Sequence, residues 1–100
     1  MIIQKWSARL MPLQRVAFME ALRELNRLYG AHGRTLWGRV HHELYGGHVI
    51  FMEREFPDIL TLDADEKQSA TPDILDAKRR LLLSVVPGTV EITHYQTVDL

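Results

Sequence analysis

Residues 34–55, RTLWGRVHHELYGGHVIFMERE, read as two strands, Arg34 to Tyr45 and His48 to Glu55, joined by Gly46-Gly47. A two-residue glycine turn suits a tight hairpin because both positions can take positive φ. Such a turn pairs Leu44 with Val49, His42 with Phe51 and Val40 with Glu53 on one face. The other face then collects Trp37, Arg39, His41, Glu43, Ile50, Met52 and Arg54. Side chains alternate along a strand, so a one-residue shift in register would exchange the two sets.

Upstream of the hairpin, Phe18, Ala21, Leu22, Leu25, Leu28 and Tyr29 recur at i, i+3, i+4, i+7 spacing. That is one apolar stripe of a helix, which Gly30 and Gly33 punctuate and from which Val16 and Met19 are excluded. Pro12 stands where a first helical residue tolerates proline, since its missing N–H would be unpaired there anyway. Ile2 to Arg9 alternates and reads as a strand.

Downstream, Pro57 opens a short helical stretch bearing Ile59, Leu60 and Leu62, which fades into the polar run Asp63 to Ala70. Thr71-Pro72 is an N-cap and a first-turn proline, and Ile74, Leu75, Leu81, Leu82 and Val85 give a second stripe. After the turn at Pro87-Gly88, Thr89 to Val98 alternates Val90, Ile92, His94, Gln96 and Val98 against Glu91, Thr93, Tyr95 and Thr97. The order strand, helix, strand, strand, broken helix, strand is a split βαβ. The fold class is therefore α+β: a ferredoxin-like βαββαβ domain over residues 1–100, with a four-stranded antiparallel sheet and its helices on one face.

The totals bound the function. With 12 basic against 13 acidic residues and a net charge of −1, the chain has no basic surplus for nucleic acid. Lys78-Arg79-Arg80 falls within a predicted helix and reads as a solvated face. The absence of cysteine excludes disulfides, thiolate zinc sites, iron–sulfur clusters and a cysteine nucleophile. Charge arrives too early in Met1 to Trp6 for a signal peptide, and no apolar run approaches the roughly 18 residues of a membrane span. The expected setting is the cytoplasm, with no membrane partner. There is no HExxH, GxGxxG, phosphate-cradling GxxxxGK or GxSxG pattern, and adjacent His41 and His42 point to opposite faces of a strand. No metal and no cofactor are expected.

The sheet face without helices carries Trp37, Ile50, Met52 and Tyr95 among charges, more aromatic and apolar surface than a monomer usually leaves in water. A second copy would cover it, so the expected partner is a homodimer mate on the face bearing Trp37, His41, Ile50, Met52 and Tyr95. The helix-facing side carries Ile2, Trp6, Leu36, Val40, Leu44, Val49, Phe51, Val90, Ile92 and Val98, interrupted by Gln4, His42, Glu53 and His94. A buried unpaired carboxylate costs several kcal/mol, so Glu53 needs a partner, a solvated cavity or a raised pKa.

At Tyr45-Gly46-Gly47-His48, at Glu53-Arg54-Glu55-Phe56-Pro57-Asp58-Ile59-Leu60 and at Val86-Pro87-Gly88-Thr89 the chain resembles the dimeric α/β-barrel superfamily, in particular its NIPSNAP-like members. The resemblance covers roughly residues 34–98, and its motifs describe turns and packing. It implies two subunits packed sheet against sheet, with a ligand held between sheet and helices. The superfamily includes cofactor-free monooxygenases, polyketide cyclases, isomerases and haem proteins, so it narrows the fold more than the function. His42 and His94 are then candidate acids or bases, because imidazole titrates near neutrality, and Glu53 would orient one of them. Trp6, Gln4 and Phe51 would contact an aromatic or polyketide-like ligand. Against this stand plainer roles: Glu53 paired with Arg39 or with a helix-borne arginine near the sheet edge, His42 as a satisfied core histidine, His94 solvated at a strand end, and the whole chain as a non-catalytic binding or accessory dimer. A cavity of a few hundred Å3 reaching a histidine separates the two functions.

Overall fold

In the structure, a computed structural model describing residues 1–99, the elements run β1 (Ile2–Arg9), α1 (Arg15–Ala31), β2 (His41–His42), β3 (Val49–Phe56), α2 (Ile59–Glu66), α3 (Pro72–Leu83) and β4 (Glu91–Gln96). The four strands form one antiparallel sheet in the order β2-β3-β1-β4. This is the expected ferredoxin-like arrangement, with the second crossover divided into two helices. Asp58 caps α2 by accepting from the Thr61 backbone N–H at 2.7 Å, and Thr71 caps α3 by accepting from Ile74 N–H at 3.3 Å.

The stripe Phe18, Ala21, Leu22, Leu25, Leu28 and Tyr29 is the buried face of α1, while Val16 is 68% exposed. The helix begins at Arg15 rather than at Pro12, because Leu13 takes a left-handed φ of 65° that breaks the helical path between them. In α3 the buried residues are Ile74, Ala77 and Leu81, and Leu75 and Leu82 are exposed. Trp6, Ala8, Ile50 and Met52 of the sheet pack beneath Phe18, Ala21 and Leu22 of α1 and Leu81 of α3.

The hairpin differs from the sequence expectation by one register step. His41 pairs with Phe51 and His42 with Ile50, and Glu43 N–H donates to Val49 O at 2.7 Å. The connection is thus five residues, Leu44 to His48, with positive φ at Gly46 and His48, and not a two-residue turn. One step moves every β3 side chain to the other face. Ile50, Met52, Arg54 and Phe56 point to the helices, all buried; Val49, Phe51, Glu53 and Glu55 point to the open face. Of these two sets, the observed one buries three apolar residues and one arginine, whereas the other would bury two glutamates. Since burying an unpaired carboxylate costs several kcal/mol, the observed register wins.

Only His41–His42 of the expected Arg34–Tyr45 strand is paired as a strand. Nearer α1, Asn26 replaces a strand partner: Trp37 N–H donates to its Oδ1 at 2.8 Å, and its Nδ2 donates to Trp37 O at 2.9 Å. Trp37 consequently packs on the helix side, and Leu44 is 84% exposed in the loop. Trp37, Ile50 and Met52 therefore do not lie on the open face, which instead carries Ile3, Lys5, Val49, Phe51, Glu53, His41 and Tyr95. There the Phe51 ring stacks on His41 at 4.9 Å, with Lys5 Nζ 4.5 Å from its centroid.

Candidate functional site

Inside the helix–sheet layer, the alternation of β1 and β3 places Gln4 opposite Arg54, and β4 adds His94 beside Gln4. Arg54 Nε and Nη2 donate to Gln4 Oε1 at 2.9 and 2.7 Å. Its Nη1 donates to Asp65 Oδ1 at 2.9 Å and to Thr35 O at 3.1 Å. Asp65, the one buried residue of α2, also accepts from Arg34 Nη2 at 3.0 Å and from Thr35 N–H at 3.2 Å. Burial pushes the Asp65 carboxyl up, but the Arg34 hydrogen bond, the Arg54 charge and the Thr35 N–H together outweigh it and hold the group below the usual carboxylate range.

Because both Arg54 bonds end on Gln4 Oε1, the orientation of the amide is fixed. Its Nε2 donates to Glu66 Oε1 at 2.9 Å and faces His94 Nε2 at 3.2 Å. His94 Nε2 then has to accept, which places the ring proton on Nδ1. Glu66 Oε1 lies 3.6 Å from the same nitrogen, ready to accept if His94 gains a proton there. His94 is 43% exposed, so this chain of groups joins the interior to solvent.

Above the network lies a cavity of about 380 Å3. Gln4, Arg34, Arg54, Glu66 and Lys78 form its polar end, and Trp6, Leu25, Trp37, Met52, Leu81, Leu82, Val90 and Ile92 its apolar walls. The volume and the mix of apolar wall with a few convergent polar groups are those of a small-molecule pocket. Among the described residues, no group of three or more His, Asp or Glu could hold a metal.

Of the residues singled out from sequence, Gln4 and Trp6 line this cavity and His94 touches Gln4. Glu53 and Phe51 do not, because the register step puts them on the open face. His42 and His94 do not meet: they lie on opposite edge strands, and His42 lines a separate hollow of about 660 Å3 beside His48, Leu10 and Val16. His42 Nε2 is buried there without a hydrogen-bond partner. Sequence reasoning missed Arg54, Asp65, Arg34 and Glu66. The available signal was Arg54 at an inward position once β3 is paired to β1 rather than to the hairpin turn.

No protein-family model and no curated protein matches the chain. Solved structures do. An uncharacterized NIPSNAP domain protein from Burkholderia xenovorans superposes with a TM-score of 0.75 at 12% identity, covering 98% of this chain and 95% of that one. A conserved protein from Methanosarcina mazei Go1 gives 0.71 at 19% identity, over 97% and 92%. A candidate antibiotic biosynthesis monooxygenase from Caulobacter crescentus CB15 gives 0.72 at 12%, over 98% and 90%. Over nearly its whole length the chain shares the ferredoxin-like fold of these structures.

Proposed function

We propose that the protein binds a flat, largely apolar small molecule in the cavity between sheet and helices and acts on it without a cofactor, by proton transfer through His94. The observation that carries this reading is the cavity itself, with its apolar walls, Gln4 and Glu66 at its polar end, and His94 in contact with Gln4 behind them. A histidine held with its Nε2 as acceptor, in contact with groups of the cavity and with solvent, is arranged to take a proton and release it. Such chemistry belongs to cyclisation, isomerisation or cofactor-free oxygenation of aromatic or polyketide-like compounds. That three structural neighbours of different naming share the fold is compatible with all of these and selects none.

The protein acts as a homodimer through the open face, where Ile3, Val49, Phe51 and Tyr95 lie uncovered by any helix. Phe51→Glu is expected to give monomers with native helix content in sedimentation, whereas a wild type already monomeric at micromolar concentration would overturn the dimer.

The test of the site is a thermal-shift screen with aromatic and polyketide-like compounds, followed by turnover assays of His94→Gln. Binding should survive this change, and turnover should fall by about 10²–10⁴-fold, the usual contribution of an acid–base group. Turnover unchanged in His94→Gln would remove His94 from the mechanism. A screen without a single hit would remove the cavity as a ligand site.

A further inference from the structure

Three cations gather on the ring of Tyr29. Arg34 Cζ lies 4.1 Å from its centroid, Arg54 Cζ 5.6 Å and Lys78 Nζ 5.8 Å. Tyr29 is only 2% exposed, so the charges meet where water screens them poorly. A ring face attracts each cation, yet it does nothing to relieve their mutual repulsion. Asp65 serves both arginines, and Glu66 spends Oε1 on Gln4. Lys78 makes no hydrogen bond or ion pair among the described residues, and Arg34 Nε, in a side chain 6% exposed, has no acceptor. Arg34, Arg54 and Lys78 set against Asp65 and Glu66 leave one positive charge uncompensated at the polar end of the cavity.

Resting on the reading of this cavity as a ligand site, we infer that its ligand is an aromatic monoanion. Its anionic oxygen, of a carboxylate or an ionised ring hydroxyl, seats beside Lys78 and Arg34 at the Tyr29 ring. Its apolar body lies along Trp6, Met52 and Ile92. One anion matches the one unpaired charge, and Lys78 supplies a charge-assisted donor that no protein group uses. A neutral ligand of the same shape would fill the walls and leave the charge unanswered. A second acidic group would have to face Glu66.

The experiment measures calorimetric binding of naphthoate, hydroxynaphthoquinone (ionised at neutral pH) and neutral naphthamide to wild type, Lys78→Met and Lys78→Arg. Lys78 is only partly buried, so both variants are expected to fold, which circular dichroism checks. At least one anion should bind about tenfold or more tightly than naphthamide, the scale of one charge-assisted hydrogen bond. The preferred anion tells carboxylate from ring hydroxyl. Lys78→Met should bring that anion close to parity with the amide, and Lys78→Arg should restore the preference. Equal binding of anions and amide to wild type would overturn the monoanion while leaving the cavity a ligand site. A preference that survives in Lys78→Met would overturn the placement of the anion, and failure of all three probes to bind would overturn both readings.

Discussion

Met52, Trp6 and Ile92 form one row across β3, β1 and β4, and Arg54, Gln4 and His94 form the next. The two rows share the same backbone and lie on the same face. Yet the first meets Phe18, whose ring centroid stands 5.8 Å from that of Trp6, while the second meets the carboxylate of Asp65 carried in by α2. The first row is held by area and contact, which no change of pH alters. The second is held by ion pairs that exist only while Asp65 is ionised. The apolar row closes the core, and the polar row interrupts it at the cavity floor, where buried charge serves recognition better than stability.

The strongest break in this comparison comes from Asp65→Ala, which leaves Arg34 and Arg54 buried without their shared partner. A loss of about 3–5 kcal/mol is expected in urea unfolding at neutral pH, as for other buried pairs deprived of one member. Its pH dependence has a definite sign. The folded pKa of Asp65 lies below its unfolded value, so its contribution is complete above the unfolded pKa of about 3.9 and disappears as pH falls through the folded pKa. Wild type and variant should therefore stay separated down to about pH 4 and converge below it. Met52→Ala, in the apolar row, should cost about 2–5 kcal/mol by cavity formation, with a gap from wild type that does not close in acid. Should both variants show the same acid profile, the two rows would not differ in the way described.

A third replacement sits between the rows. Arg54→Met leaves Asp65 with Arg34 and Thr35 N–H but strands Gln4 Oε1, and the expected loss is about 1–3 kcal/mol. The freed amide can also rotate. His94 Nε2 then loses its fixed donor, so the His94 ring resonances at fixed pH should move in this variant relative to wild type, while those in Met52→Ala should not.

The apolar row was legible in part, and the polar row hardly at all. The stripe from Phe18 to Tyr29 could be read because helical spacing is set within the segment itself. Gln4, Trp6 and His94 were found on the inner face because β1 and β4 alternate without interruption. The alternation of β3 was equally plain, but which set faced inward depended on the length of the connection after Glu43, and Gly46-Gly47 suggested two residues where the chain uses five. Asp65 gave no local sign, since its partners stand 31 and 11 residues away and meet it only through the tertiary fold. The same holds for Asn26, whose amide imitates a strand edge for Trp37.

Glu53→Gln gives the smallest expected effect and the most direct check on that register. Read into the helix-facing side, Glu53 would be a desolvated functional acid, and its loss would abolish ligand binding. On the open face it stands across from Lys5, whose ammonium is drawn toward the Phe51 ring, and its backbone O still accepts from Gly38 N–H at 2.9 Å after the substitution. Stability of the monomer should then change by no more than about 0.5 kcal/mol, as at other surface positions. Ligand affinity should be that of wild type, whereas Gln4→Leu, which unhooks Arg54 and His94 together, should lower it. A dimer face leaves one further signature: any shift in the Glu53→Gln melting temperature should grow with protein concentration. A shift of many degrees independent of concentration, accompanied by lost binding, would return Glu53 to the interior and reverse the two faces of β3.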